Sequence, residues 1–484
     1  MFEHNYERPT LFTLDFFRRA FKFSLAGFVI LAGGTWAAFE GAHLWVEHIE
    51  LKPEDDPDGE LRRWGWIEQS DKWSGGAEGG TDPALGYSAR HAVRSAWMAE
   101  NWGTGSSIIS NKQIENYQHS RSQAVEARLE YAHDFLNIAL NAALSHPSSV
   151  QPHTLPELLA RHANTLERMG SPDMLYQARS EYERVWSITS GRGAHSAGTA
   201  LKIGNLCARL DDAPEARDWW ARSLLLATGR TTATDVLDPR EYIPTSLPES
   251  PLSQRTLTAA LTSISAHYAQ SGNLKEAKEV QERGVALLAK DRHRMANSSS
   301  PAHSLHELFL KHRSSLLLVH LAEVVFALKE SPQVSLVHLR EAAERVEQVA
   351  FTLTGLPFTH PDSSSHNIPH PPSSNHPLHG SFKDSRTLQK PASDLLRDAR
   401  RSAAESWRLS GVLYEMQGKT DSDSMTNALR CYERALGWVG ISTDSHGGAA
   451  QPGESILEAE WKTLWGDYVR VRDTVREERS KRNV

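Results

Sequence analysis

The sequence predicts an all-α protein made of paired helices, with one transmembrane helix near its N-terminus. Three observations lead to this prediction. Residues 23–39 contain no charge, helical periodicity extends from about residue 120 onward, and small and aromatic residues recur at matching positions in four helix pairs. Apolar residues that recur every three or four positions indicate one buried face of a helix, whereas a strand would alternate.

Composition restricts the function before any motif is considered. The chain has 484 residues, a net charge of −7, 39% hydrophobic residues and 23% charged residues, so it can bury a core. The acidic balance argues against nucleic acid as a partner, because that partner requires a basic face. The two cysteines, Cys207 and Cys431, exclude a disulfide scaffold and a multi-cysteine zinc site, and we expect both in the core.

Residues 21–46 are predicted to form a transmembrane anchor that follows a short N-terminal tail, residues 1–20. A helix needs ~20 mostly apolar residues to cross ~30 Å of hydrocarbon. Arg18, Arg19 and Lys22 precede the span and acidic residues follow it. This bias places the N-terminus on the cytoplasm-like side and the rest of the chain across the membrane. A cleaved signal peptide and a buried helix of a globular protein remain open alternatives.

Small residues form a ladder within the predicted span. Gly33, Ala37 and Gly41 stand four residues apart and therefore share one helix face. Such a face lets a second transmembrane helix approach closely. The alternative is that these are ordinary small residues of an anchor.

Residues 47–119 are predicted to form an acidic, tryptophan-rich juxtamembrane module. Five tryptophans are too many for a solvated linker, because each carries a large apolar surface. We expect them to fold back on the first helices, although docking to a partner or to the membrane surface is the alternative. They are Trp64, Trp66, Trp73, Trp97 and Trp102.

Residues 120–470 are predicted to form a solenoid of helical hairpins. A small residue on each helix lets the two helices cross closely, and a large side chain fills the space beside it. Since one pair cannot bury its apolar face alone, neighbouring pairs must stack. The clearest pairs are marked by the following residues. Ala216 and Trp220 lie on the second helix of one pair, and Tyr268 and Ala277 lie on the first and second helices of another. In the last pair Trp407, Gly411 and Tyr414 lie on the first helix, and Ala428, Tyr432 and Ala435 lie on the second.

Two inserts and a C-terminal tail interrupt or follow the predicted array. Residues 227–254 form a long Pro/Thr/Ser-rich loop, and residues 358–391 form a disordered His/Pro/Ser-rich segment. Residues 458–482 are predicted to form an amphipathic capping helix, whose charged end belongs to a solvated tail, residues 471–484. Its inward side chains are expected to be Trp461, Leu464, Trp465 and Tyr468.

No catalytic, cofactor or metal site is predicted, and we expect a protein that is not an enzyme. The sequence contains no GxxxxGK[ST] phosphate loop, no HExxH motif and no GxSxG nucleophile turn. A hydrolase or metal-dependent activity remains the alternative. The 358–391 insert could bind zinc or copper weakly, although its irregular spacing favours a solvated loop. The histidines concerned are His360, His366, His370, His376 and His379.

The four helix pairs resemble the tetratricopeptide (TPR) repeat, whose pattern is W-x2-L-G-x2-Y…A-x3-F-x2-A. The resemblance covers residues 120–470, and the last pair departs from it through a longer turn. It implies a concave groove, lined by the first helix of each pair, that binds peptide segments. The groove candidates are Asn164, Asn205, Thr262, Arg408 and Glu415.

The order of segments resembles the fungal mitochondrial inner-membrane TPR proteins that act as adaptors of the i-AAA protease. This resemblance implies an N-terminus in the matrix and repeats in the intermembrane space. It also implies two partners: the AAA protease, and unfolded or membrane-protein clients delivered to it for quality control. Three alternatives remain: a preprotein-receptor-like TPR protein of the outer membrane, an assembly factor, and a secretory-pathway signal-anchor protein, which glycan addition at Asn297 would favour.

Overall fold

Every regular element in the described residues is helical, and these residues contain no β-strand. The all-α class is therefore confirmed, whereas the solenoid arrangement stays a prediction. The computed structural model describes residues 7–103, 127–189, 193–230, 238–290, 300–357, 376–418, 422–440 and 458–482. The predicted glycosylation site at Asn297, and His360, His366 and His370, lie outside the described residues.

The chain divides into two compact units. The first comprises residues 1–53 and 71–181, and the second comprises residues 54–70 and 182–484. The first contains α1 (Glu7–Trp45), a π-helical turn (Val46–Glu50), α4 (Gly86–Trp102), α5 (Ala127–Ser145), α6 (Thr154–Met169) and the start of α7 (Pro172–Ile188).

The second unit contains the remaining helices. Near its start are two single-turn helices, α2 (Glu60–Arg63) and α3 (Trp66–Gln69). The others are α8 (Gly193–Arg209), α9 (Ala213–Ala227), α10 (Pro251–Gln270), α11 (Leu274–Lys290), α12 (Pro301–Ala327), α13 (Pro332–Thr354), α14 (Gly380–Lys383), α15 (Arg386–Gln417), α16 (Ser422–Val439) and α17 (Glu458–Arg482).

The first unit buries an arginine among its helices. The Arg161 guanidinium pairs with Glu100, lies 2.8 Å from an Asp71 oxygen and stands 4.1 Å from the centre of the Trp73 ring. Trp73 is buried. Nearby carboxylates offset the large cost of removing the guanidinium from water. This tryptophan of the predicted juxtamembrane module therefore packs into the first unit.

Helices α8 and α9 form an antiparallel pair that depends on a glycine. Ser223 Oγ donates to the Ala197 carbonyl at 2.8 Å, while Gly204 faces Trp220 further along. A Cβ atom on Gly204 would lie 2.7 Å from Trp220 Cδ1. Because that separation is shorter than a van der Waals contact, the helices reach their crossing distance only with glycine at this position.

Three more antiparallel pairs follow in the second unit. Gln281 of α11 donates to Ser265 of α10 at 2.9 Å, and Ser335 of α13 donates to the Ala322 carbonyl of α12 at 2.9 Å. In the last pair a Cβ atom on Gly411 would lie 2.7 Å from the Tyr432 ring. Most of the predicted core positions are buried: Gly411, Ala428, Tyr432, Ala435, Tyr268, Ala277, Ala216 and Trp220, with Trp407 and Tyr414 partly buried.

Trp407 also has a polar partner that its predicted packing role did not include. The buried Glu347 carboxylate of α13 accepts from Trp407 Nε1 at 2.7 Å, from Trp438 Nε1 at 2.8 Å and from Arg434 Nε at 2.7 Å. Buried carboxylates are tolerated where donors satisfy their oxygens. One carboxylate therefore connects α13, α15 and α16.

Several segment boundaries differ from those predicted. Helix α1 begins at Glu7, within the predicted tail, and α10 begins at Pro251, within the predicted 227–254 insert. Helix α15 begins at Arg386, so residues 386–391 of the insert that was predicted to be disordered are helical, with Pro391 inside the helix. Helix α17 ends at Arg482, as predicted for the capping helix, but Val471 and Val475 are buried although they lie in the predicted solvated tail, residues 471–484.

The juxtamembrane segment also divides differently from the single module predicted for residues 47–119. Residues 54–70 belong to the second unit, while residues 71–103 belong to the first. Separate partners explain the division: Trp73 packs against Arg161 in the first unit, whereas Trp66 donates to the Ala302 carbonyl in the second.

Two glycines of α8 provide a matched test of close helix packing. We expect Gly204→Ala to lower the free energy of unfolding by about 1–3 kcal/mol, because its methyl group would overlap Trp220. Gly198→Ala should raise it by about 0.5–1 kcal/mol, because a Cβ there meets no atom within 4 Å and alanine favours helix. Urea unfolding followed by circular dichroism measures both; equal effects would contradict the close approach.

Candidate binding groove and membrane segment

One N-terminal helix is long and apolar enough to span a membrane. Residues 16–50 form a 35-residue helical stretch whose most apolar window has a mean hydropathy of 1.4 and is entirely unburied within the chain. Large side chains such as Phe21, Phe28 and Ile30 are exposed. Soluble proteins rarely expose so continuous an apolar surface, which indicates a partner for it.

The small-residue ladder lies on the same exposed helix. Gly33, Ala37 and Gly41 are all exposed, and a Cβ atom on either glycine would meet nothing within 4 Å. No described part of the chain packs against this face. The contact with a second transmembrane helix therefore stays a prediction.

A buried carboxylate holds the end of this helix against α4. Glu47, in the π-helical turn, accepts from the Thr81 hydroxyl at 2.8 Å, from the Thr81 amide at 3.0 Å and from Arg90 at 3.0 Å. Arg94 adds a cation at 3.5 Å. Because α4 supplies both arginines, the apolar helix ends at a fixed position in the first unit.

Arg255 of α10 holds the Trp64–Gln69 segment within the second unit. Its guanidinium donates to the Trp64 and Gly65 carbonyls at 2.9 and 2.8 Å and to Gln69 at 2.7 Å. It also lies 4.0 Å from the Trp66 ring centre. Burial lowers the pKa of Arg255 to about 10, so this cation–π contact persists at neutral pH.

His306 of α12 extends this buried network. Arginine can only donate, so His306 Nδ1 accepts from Arg255 at 3.1 Å and Nε2–H donates to Gln254 at 2.9 Å. Burial, together with the charges of Arg255 and His303, lowers the pKa of His306 to about 3. This imidazole is therefore neutral throughout the physiological range.

An open cleft lies between α10 and α12, the first helices of two consecutive pairs. Its volume is about 270 Å³. The TPR resemblance implies a binding surface on these first helices. The lining residues are Ala266, Ala269, Gln270, Leu274, His320, Glu323, Val324 and Ala327.

None of the five predicted groove residues lines this cleft. Thr262 Oγ1 donates to the Thr258 carbonyl of its own helix at 2.9 Å, and Asn205 accepts from Trp220 Nε1 at 2.9 Å. Asn164 belongs to the first unit. Arg408 and Glu415 face α17 instead: Arg408 lies 3.7 Å from Asp467, and Glu415 accepts from Arg470 at 2.8 Å. Of the five, only Thr262 lies on a helix that lines this cleft, α10, and their assignment to a binding groove stays a prediction.

His320 and Glu323 are the ionisable residues of the cleft, and neither was predicted from the sequence as a site residue. The available signal was their position as polar residues within the otherwise apolar run LLLVHLAEVVFA of α12. Burial lowers the pKa of His320, whose Nδ1 atom is buried without a hydrogen-bond partner. Partial burial and then the neighbouring Glu405 carboxylate raise the pKa of Glu323, although this residue remains largely exposed.

Among the described residues, no three His, Cys, Asp or Glu side chains stand in a metal-binding arrangement. His379, from the predicted histidine-rich insert, caps α14 through Ser381. Both cysteines are buried, and burial raises the pKa of Cys431 to about 12, which keeps its thiol protonated.

The chain matches no protein-family model, and no curated protein matches it significantly. The TPR resemblance therefore rests on the residues quoted above.

The buried His306 predicts a specific pH dependence of stability. Its folded pKa of about 3 lies below the ~6.5 of an unfolded histidine, so only the unfolded chain gains this proton as the pH falls below 6.5. We expect His306 to cost about 2 kcal/mol of stability at pH 5 relative to pH 7.5. His306→Gln should remove that part of the slope in urea unfolding at the two pH values. If the free energy of unfolding changed equally with pH in the variant and the wild type, the assignment of this pH dependence to His306 would be contradicted.

Proposed function

We propose that this protein is a membrane-anchored, non-enzymatic binding protein whose helix pairs hold segments of other polypeptides. The observation that carries the proposal is the N-terminal helical stretch, residues 16–50, whose most apolar 18-residue window is unburied within the described chain and whose end is held to α4 by Glu47. In this proposal the lipid chains of a bilayer surround the apolar side chains of the helix, which no described part of the chain covers. We propose the open cleft between α10 and α12 as part of the binding surface.

The finer proposal is an adaptor of a mitochondrial inner-membrane AAA protease. Its support is the order of segments: a short charged N-terminus, one apolar span, an acidic tryptophan-rich segment and then paired helices. In this proposal the N-terminus lies in the matrix and the paired helices lie in the intermembrane space. There they bind misfolded clients while the span holds them beside the protease.

The membrane role of α1 can be tested with two adjacent substitutions. Ile30→Arg with Leu31→Arg places two charges near the centre of the span, each costing about 2.5–3.5 kcal/mol in a bilayer. We expect carbonate extraction to release the double variant from membranes while the wild type and an Ile30→Leu control stay in the pellet. Release of the wild type would contradict the anchor.

Compartment and partner can be tested together in mitochondria. A C-terminal tag should resist added protease in intact mitochondria and become accessible after the outer membrane is ruptured, because the charge bias places the helix pairs beyond the span. The AAA protease should co-purify with the tagged protein from detergent-solubilised mitochondria. Cleavage of the tag in intact mitochondria would instead indicate the outer membrane, and a pull-down without the protease would contradict the adaptor role.

A further inference from the structure

We propose that the cleft between α10 and α12 binds a lysine side chain of the client, with Glu323 as the residue that recognises the ammonium group. This inference rests on the proposed function, because it assumes that the helix pairs bind polypeptide segments. It adds the chemistry of one recognised side chain.

The walls of the cleft suit the aliphatic part of lysine. Ala266, Ala269 and Ala327 are small, while Leu274 and Val324 provide larger apolar surface. The volume of about 270 Å³ lies just below the range of small-molecule sites, which is roughly 300–1,000 Å³. An open recess of this size fits one long side chain, whose methylene groups would cover the alanines.

The polar lining residues suit the ammonium group. Lysine carries three N–H donors and no acceptor. Glu323, Gln270 and His320 line the cleft and each can offer an acceptor. The lowered pKa of His320 keeps this ring neutral, so it does not repel a cation.

The Glu323 side chain is also available to a cation, because this residue is exposed. None of the described basic side chains forms an ion pair with Glu323, and Glu405 of α15 adds negative potential that raises the Glu323 pKa further. A bound ammonium would reverse that effect, because an opposite charge favours the carboxylate. Arginine fits less well, because its five donors exceed the four acceptor atoms of these side chains, two on Glu323 and one each on Gln270 and His320.

A labelled client that is permanently unfolded can test this inference on the full chain in phosphatidylcholine nanodiscs. The client is reduced and carboxymethylated α-lactalbumin in three forms. Its lysines are left unmodified in the first, acetylated in the second and converted to homoarginine in the third. Binding is measured by fluorescence anisotropy for the wild type, Glu323→Gln and Ala269→Leu, which fills the cleft. Glu341→Gln is the matched control, because Glu341 lies on α13 and pairs with Arg345 outside the cleft.

We expect Glu323→Gln and Ala269→Leu to weaken binding of the unmodified client about five- to tenfold, as loss of a charge-assisted contact implies. Acetylation should weaken wild-type binding similarly and should have little further effect on Glu323→Gln. The Glu341→Gln control should respond to acetylation like the wild type. Thermal melts of each variant exclude loss of folding as the cause.

The other outcomes separate this inference from the proposed function. Equal binding of the unmodified and acetylated clients, unaffected by Glu323→Gln, would overturn lysine recognition while leaving polypeptide binding intact. Absence of binding for every client form would overturn both. Homoarginine binding as tight as lysine binding would overturn the assignment of lysine and indicate a site for cations in general.

Discussion

The fold of the second unit depends on how closely the two helices of a pair can cross. At Gly204 and Gly411 the partner ring, Trp220 or Tyr432, occupies the space where any other residue would place its Cβ atom. The ring fills the gap that the glycine creates, so neither residue is sufficient alone. Interiors pack at the density of organic crystals, and a single methyl group at such a crossing must displace a helix or a ring. This packing constraint explains why small and aromatic residues recur at matching positions in the sequence.

Buried charges then hold elements that are distant in sequence. Arg255 fixes the Trp64–Gln69 segment to α10, and Glu347 gathers donors from α15 and α16. Such groups are costly to bury, and removing one partner leaves an uncompensated charge, typically at several kcal/mol. They therefore specify which segments meet. His306 belongs to the same network, and its neutral state ties the stability of the second unit to pH.

The two functional features differ in physical character. The most apolar window of the N-terminal helix is unburied within the described chain, whereas Glu47 in the following π-helical turn is buried and pairs with Arg90 of α4. The cleft between α10 and α12 combines apolar walls with a carboxylate that lacks a cation among the described residues. We propose a bilayer as the surroundings of the first feature and a lysine side chain as the ligand of the second.

The sequence by itself determined the helical class, the apolar span and the helix pairs, because periodicity, charge-free length and glycine–aromatic spacing are local properties. It could not determine which helix faces stay open. Arg408 and Glu415 have the register of groove residues, yet α17 covers them, and that contact joins positions more than fifty residues apart. Likewise, Glu323 became a candidate only when α10 and α12 were placed side by side. Burial and pairing of a polar side chain depend on its neighbours in space, and those are decided by the tertiary structure.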